Sequence, residues 1–186
     1  MPNKTHMQEA TRMLQELLNN ECWEEARTLI LGWLEEDPED HWLLAELSNT
    51  YYEEHNYEKA LHYVEQALRF APKCPLVLWH YAGALDMLER DEEAINVWKK
   101  IVKRGVNSIA YGECGEGIRR ARSFVNDSRY RIGLAYADLG KPHLAKKYIR
   151  EHINNRGRNT PSSYNLRNVR KKLAMVEAGK NPRQNI

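Results

Sequence analysis

The sequence is poor in cysteine and has no cysteines at paired spacing. Its three cysteines, Cys22, Cys74 and Cys114, lie far apart along the chain. A disulfide framework or a Cys-x-x-Cys zinc site needs a closely spaced set of cysteines, so the sequence predicts neither. We interpret each cysteine as a small packing residue, and this usage favours a reducing, cytoplasmic compartment.

Long apolar runs are also missing. The longest, over residues 28–34, contains a glycine and falls far short of the roughly 20 residues that cross a bilayer. The first residues of the chain lack the apolar core of a secretory signal. The sequence therefore predicts no membrane segment and a cytoplasmic protein.

Motifs that carry catalysis or cofactor binding are absent as well. The sequence contains no His-Glu-x-x-His, Walker or Gly-x-Ser-x-Gly motif, and its histidines are dispersed. The glycines of residues 111–117 superficially resemble a phosphate-binding loop, but no Gly-Lys-Ser/Thr follows and no strand precedes them. We therefore expect no enzymatic activity, no cofactor and no metal site.

A period of 34 residues is the strongest pattern that is present. Ala26, Ala60 and Ala94 keep this spacing, and so do Pro38 and Pro72. Within each period, apolar residues recur every three to four positions in two segments, which predicts two amphipathic helices. Two helices joined by a short turn cannot bury both of their faces alone, so successive pairs are expected to stack on one another.

These residues resemble the signature of the tetratricopeptide repeat. In that family, small residues lie where the two helices of a repeat cross, and a large residue follows the first of them by three positions. The matching crossing pairs are Ser48 with Ala60, Ala82 with Ala94, and Gly133 with Ala145, and the large residues are Tyr51, Leu85 and Tyr136. The resemblance implies repeats over residues 7–40, 41–74, 75–108 and 126–159, of which the first is the most divergent.

The predicted fold is an all-α, right-handed solenoid of about four helical hairpins that forms a single domain over residues 1–186. An insertion, residues 109–125, precedes the last repeat, and a helix over residues 160–179 caps the array. The apolar stripe of the last repeat continues backwards, which predicts that its first helix begins near residue 116. Whether the insertion instead fills the groove of the repeats is left open by the sequence.

Charge is unevenly divided, although the net charge is only +2. Residues 1–98 hold 7 basic and 20 acidic side chains, whereas residues 99–186 hold 21 and 6. Because sequence order becomes position along a solenoid, we expect an acidic end and a basic end. The alternative is that these charges only solvate outer helix faces.

The resemblance also implies a concave groove, lined by the first helix of each repeat, that holds an extended peptide or a partner helix. The implied partner-binding residues are Trp42, Asn49, Tyr52, Trp79, Asp86, Tyr130 and Arg131. Aromatic rings with a few polar groups suit a protein partner, because they combine a large contact area with polar handles. The alternative is that Trp42 and Trp79 cover the core or pack on the insertion. Only Asn49 and Arg131 match the clamp that captures chaperone tails in related repeats, so that function is not supported.

A run of arginines follows the glycine-rich stretch. Arg119, Arg122 and Arg129 fall on one flank of the predicted helix, and guanidinium groups suit carboxylate and phosphate geometry. They are candidate anion-binding residues for an acidic partner of the C-terminal half. The alternative is that they pair with acidic groups of the chain itself.

The sequence thus predicts a non-enzymatic scaffold or adaptor that binds a protein or peptide partner in its groove. One alternative is binding of nucleic acid or another polyanion through the basic C-terminal half, which strong salt dependence would reveal. A second alternative is self-assembly through the acidic and basic ends. The sequence identifies neither the partner nor the pathway nor the oligomeric state.

Overall fold

The computed structural model of the protein describes residues 4–157 and 159–183, with side chains from residue 11 onward. In these residues the chain is helical, with short turns and loops between the helices. The helices are α1 Lys4–Asn19, α2 Trp23–Glu36, α3 His41–Glu53, α4 Tyr57–Phe70, α5 Pro75–Met87, α6 Asp91–Tyr111, α7 Gly117–Asp138, α8 Pro142–Asn154 and α9 Leu166–Glu177. None of these described helices is both long enough and apolar enough to cross a membrane.

The chain divides into two compact units. Unit 1, Met1–Pro72, contains α1 to α4, and unit 2, Lys73–Ile186, contains α5 to α9. The helices pair in chain order as hairpins, which matches the hairpins that the sequence period predicts. The repeat boundaries and the single-domain organisation stay predictions.

Several helices begin at residues that suit a helix start. The side chain of Asp40 accepts hydrogen bonds from backbone amides in the first turn of α3, and Asn56 does the same for α4. Pro75 and Pro142 begin α5 and α8. Proline suits this position because its backbone angle is already helical and it has no amide hydrogen to leave unpaired.

Unit 1 is held together by one apolar core. The core residues come from three helices and are all buried; they are Leu14, Ala26, Ile30, Leu43 and Leu47. At its edge, the rings of Tyr51 and Tyr63 stack with centroids 5.4 Å apart. The guanidinium of Arg27 lies 4.8 Å from the centroid of the Tyr51 ring and pairs with Glu54 at 2.6 Å. The two stacked rings therefore contact the apolar core, and the Arg27–Glu54 ion pair lies against the Tyr51 ring.

The core of unit 2 is built from buried side chains of α5, α6, α7 and α8. Its largest fully buried members include Trp98, Ile101, Ile109, Ile132 and Ile149. Cys74 is also buried, and burial raises the pKa of its thiol to about 11. The thiol therefore stays protonated at neutral pH, as expected of a packing residue.

The close helix crossings predicted from small residues are confirmed for Ser48 with Ala60 and for Gly133 with Ala145. Ser48 and Ala60 are both buried, and the Ser48 hydroxyl donates a hydrogen bond of 2.7 Å to the Ala60 carbonyl. In the next hairpin, Ala82 and Ala94 have no exposed surface. Small side chains at these positions let the two helix backbones approach closely.

The crossing of α7 and α8 leaves no room for a side chain at Gly133. A Cβ atom built on Gly133 would lie 2.6 Å from Cγ1 of Ile149 and 3.2 Å from the carbonyl oxygen of Ala145. Both distances are shorter than normal carbon contacts. Glycine is required here by the close approach of the helices, since its backbone conformation within α7 is ordinary.

The insertion is ordered and does not form a separate loop. α6 is interrupted at Gly105, which has a φ of 75°, and resumes up to Tyr111. The guanidinium of Arg104 donates hydrogen bonds to the carbonyls of Lys73 and Glu113, the latter at 2.9 Å. Arg104 thereby ties the glycine-rich turn to the first residues of unit 2.

The predicted backward extension of the first helix of the last repeat is confirmed. α7 begins at Gly117 and runs for 22 residues to Asp138. Its first part carries insertion residues, including the buried Ala121, Phe124 and Val125. The insertion is therefore divided between the end of α6, a short turn and the beginning of α7.

The predicted start of the capping helix is wrong by six residues, because α9 begins at Leu166 and not near Thr160. The side chain of Asn165 caps the helix by accepting hydrogen bonds from backbone amides of its first turn. Just before it, the amide of Ser163 donates a 2.9 Å hydrogen bond to the Asp127 carboxylate of α7. This long-range contact holds the preceding residues in a non-helical path.

Candidate partner-binding surface

In unit 1, the predicted groove residues Trp42, Asn49 and Tyr52 share one face of α3. A spacing of seven and three residues returns to nearly the same side of an α-helix. All three side chains are partly exposed, whereas Leu44 and Leu47 on the opposite side are buried. The structure thus brings three of the predicted residues together on one partly exposed helix face, which also contains the fully buried Ala45 and which we call the α3 face.

The two rings of the α3 face are held in place by neighbours. Trp42 packs against the edge of the unit 1 core. The ring of Tyr52 meets the ring of Tyr57 edge-on, with centroids 5.4 Å apart. Between them along the helix, Asn49 offers both hydrogen-bond donors and acceptors. A peptide group has the same two functions, so the Asn49 amide is chemically complementary to one.

In unit 2, the predicted groove residue Trp79 is partly exposed on α5. Its ring lies 5.4 Å from the ring of Phe124, which belongs to the insertion and sits on α7. The insertion therefore covers part of Trp79, as the alternative interpretation of this tryptophan expects. The uncovered part remains available to a partner.

Asp86 and Arg131, two further predicted groove residues, pair with each other between α5 and α7. The Asp86 side chain is almost fully buried, with 2% of the residue exposed. Its second oxygen lies 2.8 Å from Nη2 of Arg183. The Arg131 guanidinium also lies 5.3 Å from the centroid of the Trp98 ring. The chain itself already satisfies this carboxylate with two guanidinium groups.

Tyr130, the remaining predicted groove residue, is covered by the chain as well. Its ring lies 4.6 Å from that of Tyr164 and 5.2 Å from that of His152, and only 5% of the residue is exposed. Burial raises the pKa of the Tyr130 hydroxyl. Its contact with a partner stays a prediction, and it requires the segment before α9 to move.

A buried polar cluster beside Tyr130 joins α7 to α8. Nδ1 of His152 lies 2.9 Å from the Asn126 carbonyl oxygen, and the Asn126 side-chain amide donates to the His152 carbonyl at 3.1 Å. Burial lowers the pKa of His152, so the ring is neutral at neutral pH. The dispersed histidines of the sequence did not reveal this cluster, because its members come together only when the two helices pack.

The three candidate anion-binding arginines differ in their surroundings. Arg119 is exposed. Arg122 donates a 3.2 Å hydrogen bond to the Asn159 carbonyl, and Arg129 lies 3.8 Å from the Glu151 carboxylate. Two of the three therefore have partners within the chain, in line with the alternative interpretation. Anion binding by these residues stays a prediction.

An acidic cluster at one end of α5 and α7 was not recognised in the sequence. It consists of Asp86, Asp91 and Asp138, and Arg183 reaches it from beyond α9. Burial, reinforced by the neighbouring carboxylates, raises the pKa of Asp91 to about 6. Burial also raises the pKa of Asp138. Arg183 lies outside the repeats, so the sequence period carries no signal for its role.

Comparison with known proteins locates two repeats and identifies similar folds. Models of the Tetratricopeptide repeat match residues 42–74 and 127–154. Among solved structures, MamA 41-end from Desulfovibrio magneticus RS-1 is similar with a TM-score of 0.70 at 13% identity, covering 95% of this chain and 86% of that chain. A crystal structure of MamA protein gives a TM-score of 0.64 at 14% identity, covering 95% and 84%. No curated protein matches the sequence. These similarities confirm the predicted all-α solenoid fold class.

Proposed function

Because the chain belongs to the tetratricopeptide-repeat family, we propose that it is a protein-interaction scaffold whose first helices bind an extended peptide or a partner helix. In unit 1 the binding surface is the α3 face, and in unit 2 it includes the open part of Trp79 on α5. The observation that carries this proposal is the α3 face itself. Partly exposed aromatic rings flank a polar amide there, while the other side of the same helix is buried.

The α3 face has the properties of an efficient recognition surface. Trp42 and Tyr52 are already fixed by contacts within unit 1, so binding a partner costs them little conformational freedom. Tryptophan and tyrosine provide much contact area for few rotatable bonds. The Asn49 amide makes binding dependent on orientation, because its hydrogen bonds form only with a correctly placed backbone or side-chain group.

Binding of a polyanion is the weaker candidate. Two of the three arginines on the relevant flank of α7, Arg122 and Arg129, have partners within the chain. A phosphate ligand would have to compete with both contacts. The aromatic α3 face needs no such rearrangement, and binding there should depend only weakly on salt.

We expect Asn49→Arg to reduce partner capture from cell extract at least about tenfold, since a long charged side chain would cover the centre of a desolvated contact. Asn49 is partly exposed and is not one of the buried residues of α3. The measurement is affinity capture of the immobilised full chain, with captured proteins quantified by mass spectrometry. Circular dichroism checks that helicity is unchanged.

His62→Arg is the matched control. His62 is exposed on α4, the second helix of the same hairpin, and this change also adds one positive charge. The control should capture the same proteins as the wild type. If Asn49→Arg and His62→Arg captured identical sets in equal amounts, the α3 face would not be the binding surface.

A further inference from the structure

The chain folds back on itself after α9. Gly179, with a φ of 73°, reverses the backbone, and the Lys180 amide donates a 2.9 Å hydrogen bond to the Met175 carbonyl. Pro182 is buried, and its carbonyl accepts a hydrogen bond from the Lys172 ammonium. Residues 181–183, which we call the tail, are therefore held against the rest of unit 2 in a defined position.

The tail contacts α5 and α7, which are the first helices of the two hairpins in unit 2. Arg183 lies between them, with Nη2 2.8 Å from Asp86 of α5 and Nε 2.9 Å from Asp138 of α7. The side-chain amide of Asn181 donates a 3.0 Å hydrogen bond to the other oxygen of Asp138. Asp86 is a residue that the family resemblance assigns to the partner groove. The tail thus contacts the side of the helices that a partner would use.

The acidic cluster at this surface is electrostatically complementary to a positively charged group. Burial raises the pKa of Asp91 and of Asp138, and the nearby Asp86 carboxylate adds to both shifts. Arg131 is the guanidinium that α7 itself contributes. Arg183 supplies a second positive charge and contacts two carboxylates at once through different nitrogens. A guanidinium can bridge two acceptors in this way, whereas a lysine ammonium is a single point charge.

We propose that the tail is an intramolecular occupant of the α5–α7 surface, and that the partner segment bound there presents an arginine that displaces Arg183. This inference rests on the proposed function, for which it specifies the partner chemistry and the regulation in unit 2. An occupied site lowers the apparent affinity of a competitor by the fraction of molecules in which the site is free. The tail therefore lowers the apparent affinity for every partner segment, and only a segment with an arginine displaces it.

The test uses the full chain and a fluorescent peptide that copies residues 178–186 of the sequence, Ala-Gly-Lys-Asn-Pro-Arg-Gln-Asn-Ile. Fluorescence anisotropy measures its binding to the wild type, to Arg183→Ala and to Lys180→Ala. We expect Arg183→Ala to bind the peptide at least about tenfold more tightly than the wild type, because its own tail no longer competes. Lys180 is exposed, so Lys180→Ala should bind as weakly as the wild type.

A second peptide, in which alanine replaces the arginine, tests the chemistry of recognition. It should bind none of the three proteins. Binding of this peptide to Arg183→Ala as tightly as the original would overturn the assignment of an arginine-reading site. Equal binding of the original peptide to wild type and Arg183→Ala would overturn the role of the tail as an occupant. A loss of helical signal in Arg183→Ala would also overturn it, because the tail would then be a structural brace.

The failure of this inference can be told apart from failure of the proposed function. The α3 face lies in unit 1 and the tail contacts unit 2. If Asn49→Arg abolishes capture while no variant binds the peptide, the scaffold function stands and the role of the tail is wrong. If Arg183→Ala binds the peptide while Asn49→Arg captures normally, the α3 face is wrong and the unit 2 site stands.

Discussion

Gly133→Ala is expected to lower the free energy of unfolding by about 1–3 kcal/mol, the usual cost of overpacking a close contact. The added methyl group would lie 2.6 Å from Cγ1 of Ile149, a fully buried side chain, and near the backbone of α8. The two helices would have to separate, which also disturbs the buried polar cluster between them. Urea denaturation followed by circular dichroism measures the change.

Gly32→Ala is the matched control, because it makes the same chemical change in a helix where space is free. A Cβ on Gly32 would meet no atom within 4 Å, and Gly32 lies inside α2. Alanine should therefore stabilise the protein by about 0.4–1 kcal/mol, chiefly by restricting the unfolded chain. If both substitutions shifted stability in the same direction, the close crossing of α7 and α8 would be contradicted.

Asp86→Ala should destabilise the protein by roughly 2–3 kcal/mol, since it leaves charged partners of a buried carboxylate without their acceptor. Asp86 is 2% exposed, and the Arg131 side chain that pairs with it is only 15% exposed. Urea denaturation again measures the effect. Circular dichroism of the folded variant checks that the helices are retained.

The control is Glu92→Ala in the same unit. Glu92 pairs with Lys141 at 3.7 Å, but its side chain is 75% exposed. An exposed ion pair contributes about 0–1 kcal/mol, so this substitution should change stability by no more than that. An equally small effect of Asp86→Ala would show that the acidic cluster is solvated and that its arginines are dispensable.

The sequence predicted the parts of the fold that form within one helix or between two helices that follow each other in the chain. Ser48 with Ala60 and Gly133 with Ala145 were recognisable, because a close crossing tolerates only small side chains. The early start of α7 was also predictable, since an apolar stripe at helical spacing is a local signal. Both signals lie within one hairpin or one helix, where sequence distance and spatial distance agree.

The errors and omissions arise where distant segments meet. Thr160 is followed by a proline, which is a reasonable local signal for a helix start. The contact between Ser163 and the Asp127 carboxylate outweighs it, and Asn165 caps the helix later. No periodic pattern reports a contact between residues that lie 36 positions apart.

The candidate site shows the same division. The α3 face was predictable because its members lie on a single helix. The burial of Asp86 and Tyr130 was not, because the groups that cover them, Arg183 and Tyr164, lie outside the repeats. A repeat signature identifies the helices that line a groove, but it carries no information about segments outside the repeats that cover those helices.

The central claim is that the first helices of the hairpins bind the partner. The most direct test is a titration of a captured partner into the ¹⁵N-labelled chain, following the indole signals of its five tryptophans by NMR. The claim predicts shifts for Trp42 on α3, for Trp79 on α5, or for both, according to which unit takes the partner. Shifts confined to Trp23 and Trp33, which both lie on α2, would contradict it.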